Sequence, residues 1–255
     1  MTQTISFANN FETSDRTFAA VCALLFATCT ALTIAGCGTM PATQGMPMPG
    51  GWTMSMAWMR MPGQTWIQAA ASFLAMWVVM MAAMMLPSLT PMLLRYKARF
   101  GLPTLLMGLG YFFVWALIGL AIFPLGVMLA AVEMEQPALA RAVPVAVGVV
   151  ILIAGAIQLT SWKAHHLACC REPKEDAGTA WQQGLRFGLH CGLSCANLTA
   201  ILLVVGVMDL RAMAVVTAAI TAERLAPAGE RVTQAIGAIV IGAGLLLIAR
   251  ATGLA

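Results

Sequence analysis

The sequence predicts an all-α protein, a polytopic transmembrane bundle of about seven spans, or six if residues 210–224 only re-enter. Three observations carry this. Of 255 residues, 60% are hydrophobic and 9% charged, against roughly a quarter charged in soluble domains. Several apolar runs approach ~20 residues, the length at which a helix rising ~1.5 Å per residue crosses ~30 Å of hydrocarbon. The two-residue alternation of a membrane barrel is absent. The lipid bilayer is therefore a required partner. A formal net charge of +4 needs no nucleic acid to explain it, because the basic residues fall in loops that membrane topology already accounts for. Cys22, Cys29, Cys37, Cys169, Cys170, Cys191 and Cys195 are an odd set, mostly within or beside apolar stretches. That distribution argues against a disulfide framework.

Residues 1–16 read as a polar amino-terminal segment, and residues 17–255 as one helical domain. The first span is 17–36. Its end, Ile34-Ala35-Gly36-Cys37, also fits a lipoprotein cleavage signal, but the long polar leader favours an uncleaved helix. A methionine-rich loop follows at about 37–65. The second span, 66–86, ends where Pro87 and Pro91 are expected to break or kink the helix. Arg95, Lys97 and Arg99 then mark a cytoplasmic loop. The third span runs from about Pro103 to Met128 and the fourth covers 141–160. Between them lies a short acidic connection with Glu133 and Glu135. A basic loop from Lys163 to Arg186 precedes the fifth span, 187–207. Residues 210–224 are short for a crossing and are flanked by Asp209, Arg211, Glu223 and Arg224, read as helix-end groups that pair with one another. The last span is 232–250.

With seven crossings and the amino terminus inside, the inner loops hold Arg16, Arg95, Lys97, Arg99, Lys163, Arg171, Lys174, Arg186, Arg224 and Arg231. These are ten of the fourteen Lys and Arg. That asymmetry orients the chain and puts the methionine-rich loop outside the membrane. In a bacterial cell this is the periplasmic side of the inner membrane.

Soft ligands concentrate in three places. Met76, Met80 and Met84 recur every four residues, and Met81 and Met85 lie on the adjoining stripe, so a helix gathers five thioethers on one broad face. Methionine commonly just fills core gaps. Residues 40–61, however, add Met40, Met46, Met48, Met54, Met56, Met59 and Met61 in a stretch that Pro and Gly keep from forming a regular helix. In the fifth span, Cys191 and Cys195 are four apart on one face, with His190 about 100° round from Cys191. Thiolate and thioether select Cu(I) or zinc, and imidazole accepts either; a packing role for these thiols is the alternative. In the basic loop, His165 with Cys169 and His166 with Cys170 would each align on a helical turn, or sit as a solvated basic surface. There is no phosphate-binding glycine loop, no Ser/His/Asp order and no CxxCH, so no catalytic residues are expected.

The strings MWVVMMAAMMLPSLTPMLLRY, AGAIQLTSWKAHHLACCREP, GVMDLRAM and AERLAPAG together resemble a bacterial family of unassigned function described as predicted metal-binding integral membrane proteins. They match that family's MMxAMMxPSxxPM, YQLTPLK…C…CR-P, GVMNLxWM and EKLxPxG patterns across roughly residues 50–250. The family's CxGCCW arrangement is altered here: Cys191 and Cys195 remain, while Leu193, Ser194 and Ala196 occupy the other positions. Some members of the family are described as copper chaperones, so the resemblance implies metal handling, with His190 standing in for the lost thiol.

The reading that joins these features is a non-enzymatic membrane protein that binds Cu(I) for capture, delivery or chaperoning. Its partner would be a periplasmic metal carrier or a membrane complex. A structural or assembly subunit without metal, and a bis-histidine haem protein built on His165, His166 and His190, are the competing classes.

Overall fold

The computed structural model describes residues 2–39, 45–100, 103–171 and 178–253; Met40 and Lys174 lie outside them. The described residues form α1 (Thr2–Thr39), a two-stranded hairpin of β1 (Met46–Met48) and β2 (Trp52–Met54), and a 3₁₀ turn at Met56–Trp58. Seven helices follow: α2 (Trp66–Phe100), α3 (Thr104–Glu135), α4 (Pro137–Gln158), α5 (Ser161–Arg171), α6 (Ala180–Gly206), α7 (Leu210–Leu225) and α8 (Gly229–Ala251). Six of these, α1, α2, α3, α4, α6 and α8, are long and apolar enough to cross a membrane. α1 starts at Thr2, so residues 2–16 of the polar leader are helical and run on into the first span.

The second span is longer than its prolines suggest. α2 runs unbroken through Pro87 and Pro91 to Phe100. Ser88 Oγ donates to the Met85 carbonyl at 3.0 Å, and Thr90 Oγ1 to that of Leu86 at 2.7 Å. Both bonds go to carbonyls one turn back on the same helix, and packing of neighbouring helices lets a membrane helix run on through proline. α6 also begins earlier than expected, at Ala180. There Thr179 and Gln182 form a reciprocal capping box, which satisfies two of the amide groups a helix start leaves open. Arg186 consequently lies inside the helix instead of in a loop.

α7 has 16 residues, about 24 Å of rise, yet it carries the chain from one end of the bundle to the other. Met208, just before it, accepts a weak hydrogen bond from Cys37 Sγ at 3.9 Å, at the far end of α1. Glu223, near its other end, meets Lys163 and Gln158, beside the start of α5 and the end of α4. α8 then leaves from that end antiparallel to α4: a Cβ on Gly155 would lie 2.8 Å from the Ile241 amide and 3.1 Å from the Gly237 carbonyl. Close approach of this kind through small residues is how membrane helices gain contact when lipid competes for apolar surface.

α3 and α6 pack parallel by the same device. A side chain on Gly184 would run into the Met107 backbone, and one on Gly188 would stand 2.9 Å from the Tyr111 carbonyl. This contact sets Tyr111 against the thiol face of α6. The main buried cluster then fills the space between α2, α3, α6 and α7. The hairpin caps one end of the bundle, turning at Gly50 (φ 109°) and Gly51 (φ 77°) and donating the Trp52 indole N–H to the Ala140 carbonyl at 2.8 Å.

Candidate metal site

The methionine stripe of α2 faces inward. Met80, Met81, Met84 and Met85 are buried and Met76 is half-buried against them. The same cluster contains Cys191 and Cys195 of α6, Cys170 of α5, Tyr111 and Met107 of α3, and Met213 of α7. Two of the soft-donor groups read from the sequence, Met76–Met85 and Cys191–Cys195, thus share one core.

Within it, Cys191 is 0% and Cys195 2% exposed. One helical turn apart, their thiols contact each other. Tyr111 Oη lies 2.9 Å from Cys191 Sγ. Ser194 Oγ donates to the Cys191 carbonyl at 3.0 Å and stands 3.7 Å from both Cys195 Sγ and Cys170 Sγ. Burial raises the pKa of the Cys170 thiol, and the charge of Arg224 opposes that rise. Asn197, on another face of α6, donates to the Ala154 carbonyl at 3.0 Å, which ties α6 to α4.

His190 turns away from this group. Its Nδ1 lies 3.1 Å from Nδ1 of His166, whose ring packs edge-on against Trp162. His165 sits beside His166 and approaches Cys169 Sγ at 3.9 Å. α5 therefore splits the four residues of its motif. His165, His166 and Cys169 line an outer row with His190, while Cys170 points inward. Partial burial, with His190 and His165 alongside, lowers the pKa of His166 below the ordinary imidazole value. His190 and the Cys191/Cys195 pair are thus brought to different surfaces of α6. Among the described residues no three His, Cys, Asp or Glu side chains converge so as to hold a metal ion.

At the opposite end, Met46 is 38% exposed, Met48 and Met56 are half-buried, and Met54 is 2% exposed. In the hairpin Met46 pairs with Met54. An aromatic layer of Trp58, Phe73, Trp77 and Phe123, with ring centroids 5.2 to 5.9 Å apart, lies between the hairpin and the methionines of α2.

The sequence reading missed a set of charged groups. Lys163 is 0% exposed, and its Nζ lies 2.9 Å from Glu223 Oε2; it also donates to the Ser194 carbonyl. The Gln158 amide donates to the other Glu223 oxygen. Arg224, 7% exposed, donates from Nη1 to Ser88 Oγ at 3.0 Å and lies 5.8 Å from the Phe187 ring, while its Nε and Nη2 have no hydrogen-bond partner. Cys191, Tyr111, Cys195 and Cys170 surround it. Glu223 therefore pairs with Lys163, not with its neighbour Arg224. Asp209 caps α7, accepting from the amides of Arg211 and Ala212. Lys163 and Arg224, both counted among inner-loop charges, belong to the core instead. A signal was present: Lys163, Leu167 and Cys170 lie on one helical stripe, as do Met213, Val216, Ile220, Glu223 and Arg224.

A family model described as PpoB2, copper chaperone, matches residues 74–247, about two thirds of the chain. The match spans the methionine helix, the thiol helix and the buried charges. No curated protein and no solved structure matches the chain.

Proposed function

The chain belongs to the PpoB2 copper chaperone family, and from that premise we propose that it is a non-catalytic membrane carrier that receives Cu(I) on one face and passes it to a partner. The observation that carries this reading is the shared core of α2 and α6, where thioethers of Met80, Met81, Met84 and Met85 lie in one cluster with the thiols of Cys191 and Cys195. Soft sulfur donors prefer Cu(I) over hard cations, and thioethers hold it weakly enough to release it. The copper is cargo. Met46, Met48 and Met56 on the hairpin would meet it first, Met76 and the buried stripe would follow, and the thiols would hold it most tightly. His165, His166, Cys169 and His190 form a separate imidazole-rich row suited to exchange with a partner at the other end. The charge distribution supports the bacterial inner membrane as the setting, the amino terminus inside and the hairpin facing a periplasmic metal carrier.

The test is metal analysis of protein purified in detergent under conditions that keep copper as Cu(I). Copper bound in stoichiometric amount, in preference to zinc, is expected. A protein that folds, stays monodisperse and takes up no Cu(I) would leave the assembly-subunit reading in its place.

A further inference from the structure

The buried charges of the described residues do not balance. Lys163, Glu223 and Arg224 are two cations and one anion, all nine-tenths or more removed from solvent. Lys163 and Glu223 neutralise each other at 2.9 Å. Arg224 is left as a full positive charge, since a guanidinium does not give up its proton in a protein. Its Nη1 donates to the neutral Ser88 hydroxyl, Cys170 lies within reach of the guanidinium, and Nε and Nη2 make no hydrogen bond of ordinary geometry. An unpaired charge in such a place is costly and calls for an anion. The groups that surround it are Cys170, Cys191, Cys195 and Tyr111, none of which is an anion while it keeps its proton.

We propose that Cys191 and Cys195 bind Cu(I) as a bis-thiolate and that Arg224, through its unpaired nitrogens, is the counter-cation that makes this complex stable in the core. The inference rests on the copper reading above and adds to it the coordination and the charge partner. Copper enters and remains as Cu(I), so no electron is transferred. Two S–H bonds break heterolytically, two Cu–S bonds form, and two protons leave for solvent. The product, one Cu(I) with two thiolates, carries one negative charge, the amount by which the buried groups are out of balance. A two-donor site also agrees with the absence of any three-donor convergence among the described residues, because Cu(I) is content with two thiolates. Tyr111 Oη, 2.9 Å from Cys191 Sγ, becomes a donor to that sulfur once it is a thiolate. Cys170 stays outside the pair, with the Ser194 hydroxyl between it and Cys195.

A double-mutant cycle tests this, with Cu(I) affinity measured by competition against a chromophoric Cu(I) chelator. Arg224→Met should weaken binding about thirtyfold or more, the effect of removing one partner of a buried charge pair, and Arg224→Lys much less. In a Cys191→Ser, Cys195→Ser background, Arg224→Met should change affinity no further. Equal affinity in Arg224→Met and the parent overturns the inference while leaving the copper reading intact, as does an equal loss in the serine background. No Cu(I) binding by the parent overturns both. Should Arg224→Met fail to fold, proton release by the parent decides instead: release of one or two protons per Cu(I) at neutral pH, lost in Cys191→Ser, Cys195→Ser, supports thiolate ligation, and no release, the result for capture by thioethers alone, sinks it.

Discussion

The buried thiol centre and the methionine hairpin are built on opposite principles. At the centre, four helices converge. Cys191 and Cys195 are fixed one turn apart on α6, Tyr111 is pressed against them by the glycine contact of α3, and Lys163, Glu223 and Arg224 set the local charge. In the hairpin, a single pair of three-residue strands exposes Met46, half-buries Met48 and buries Met54. A dry, fixed site holds an ion tightly but admits it slowly, because every approach requires packed side chains to move. A short exposed hairpin exchanges quickly and holds weakly. On the proposed carrier reading both properties are needed, and the two regions would supply them separately.

The largest expected effect lies in the centre. Lys163→Met leaves Glu223 as a buried carboxylate without its cation, and breaking a buried pair on one side typically costs about 3–5 kcal/mol. The apparent unfolding temperature in detergent should fall sharply. Adding Glu223→Leu should restore most of the loss, since an apolar pair of similar volume is often as stable as the ion pair it replaces. If the single variant is as stable as the parent, the centre is not the rigid half of the comparison.

A smaller effect follows from Tyr111→Phe. The change removes one buried hydrogen bond, a contribution of about 0.5–1.5 kcal/mol, and keeps the ring stacked against Phe187, whose centroid is 5.4 Å away. Copper affinity should fall more than stability does, because the phenol is worth more to a thiolate than to a thiol. Equal losses in the two measurements would make Tyr111 a packing residue only.

How far the sequence disclosed this arrangement depends on the range of the interaction. The helical membrane class, the inward methionine stripe and the shared face of Cys191 and Cys195 follow from composition and from the four-residue spacing, both local properties. Pro87 and Pro91 misled because proline acts locally, whereas the packing of neighbouring helices carries α2 through them. His190 is adjacent to Cys191 in sequence, but the 100° step of a helix sends it to His166. The Lys163–Glu223 pair joins residues 60 apart, and counting charges by loop assigns such a lysine to the surface. Only the stripe it shares with Leu167 and Cys170 betrays its burial.

The smallest expected effect belongs to the hairpin, and it sharpens the comparison most. Replacing Met46, Met48, Met54 and Met56 together by leucine keeps volume and apolarity and removes only sulfur. Swaps of this kind usually cost less than about 1.5 kcal/mol each, and only Met54 is fully buried, so unfolding temperature should shift little. Equilibrium affinity should also stay near that of the parent, because the tightest donors are the thiols at the other end of the core. The rate of loading from a Cu(I)-charged donor should drop several-fold, since first capture now lacks its thioethers. That combination, slow loading with intact affinity, is what a fast, weak entrance feeding a slow, tight centre requires. Should affinity fall while the rate is unchanged, the hairpin is itself a holding site and the division of labour runs the other way. Should neither change, its methionines serve packing against α4, and copper enters elsewhere.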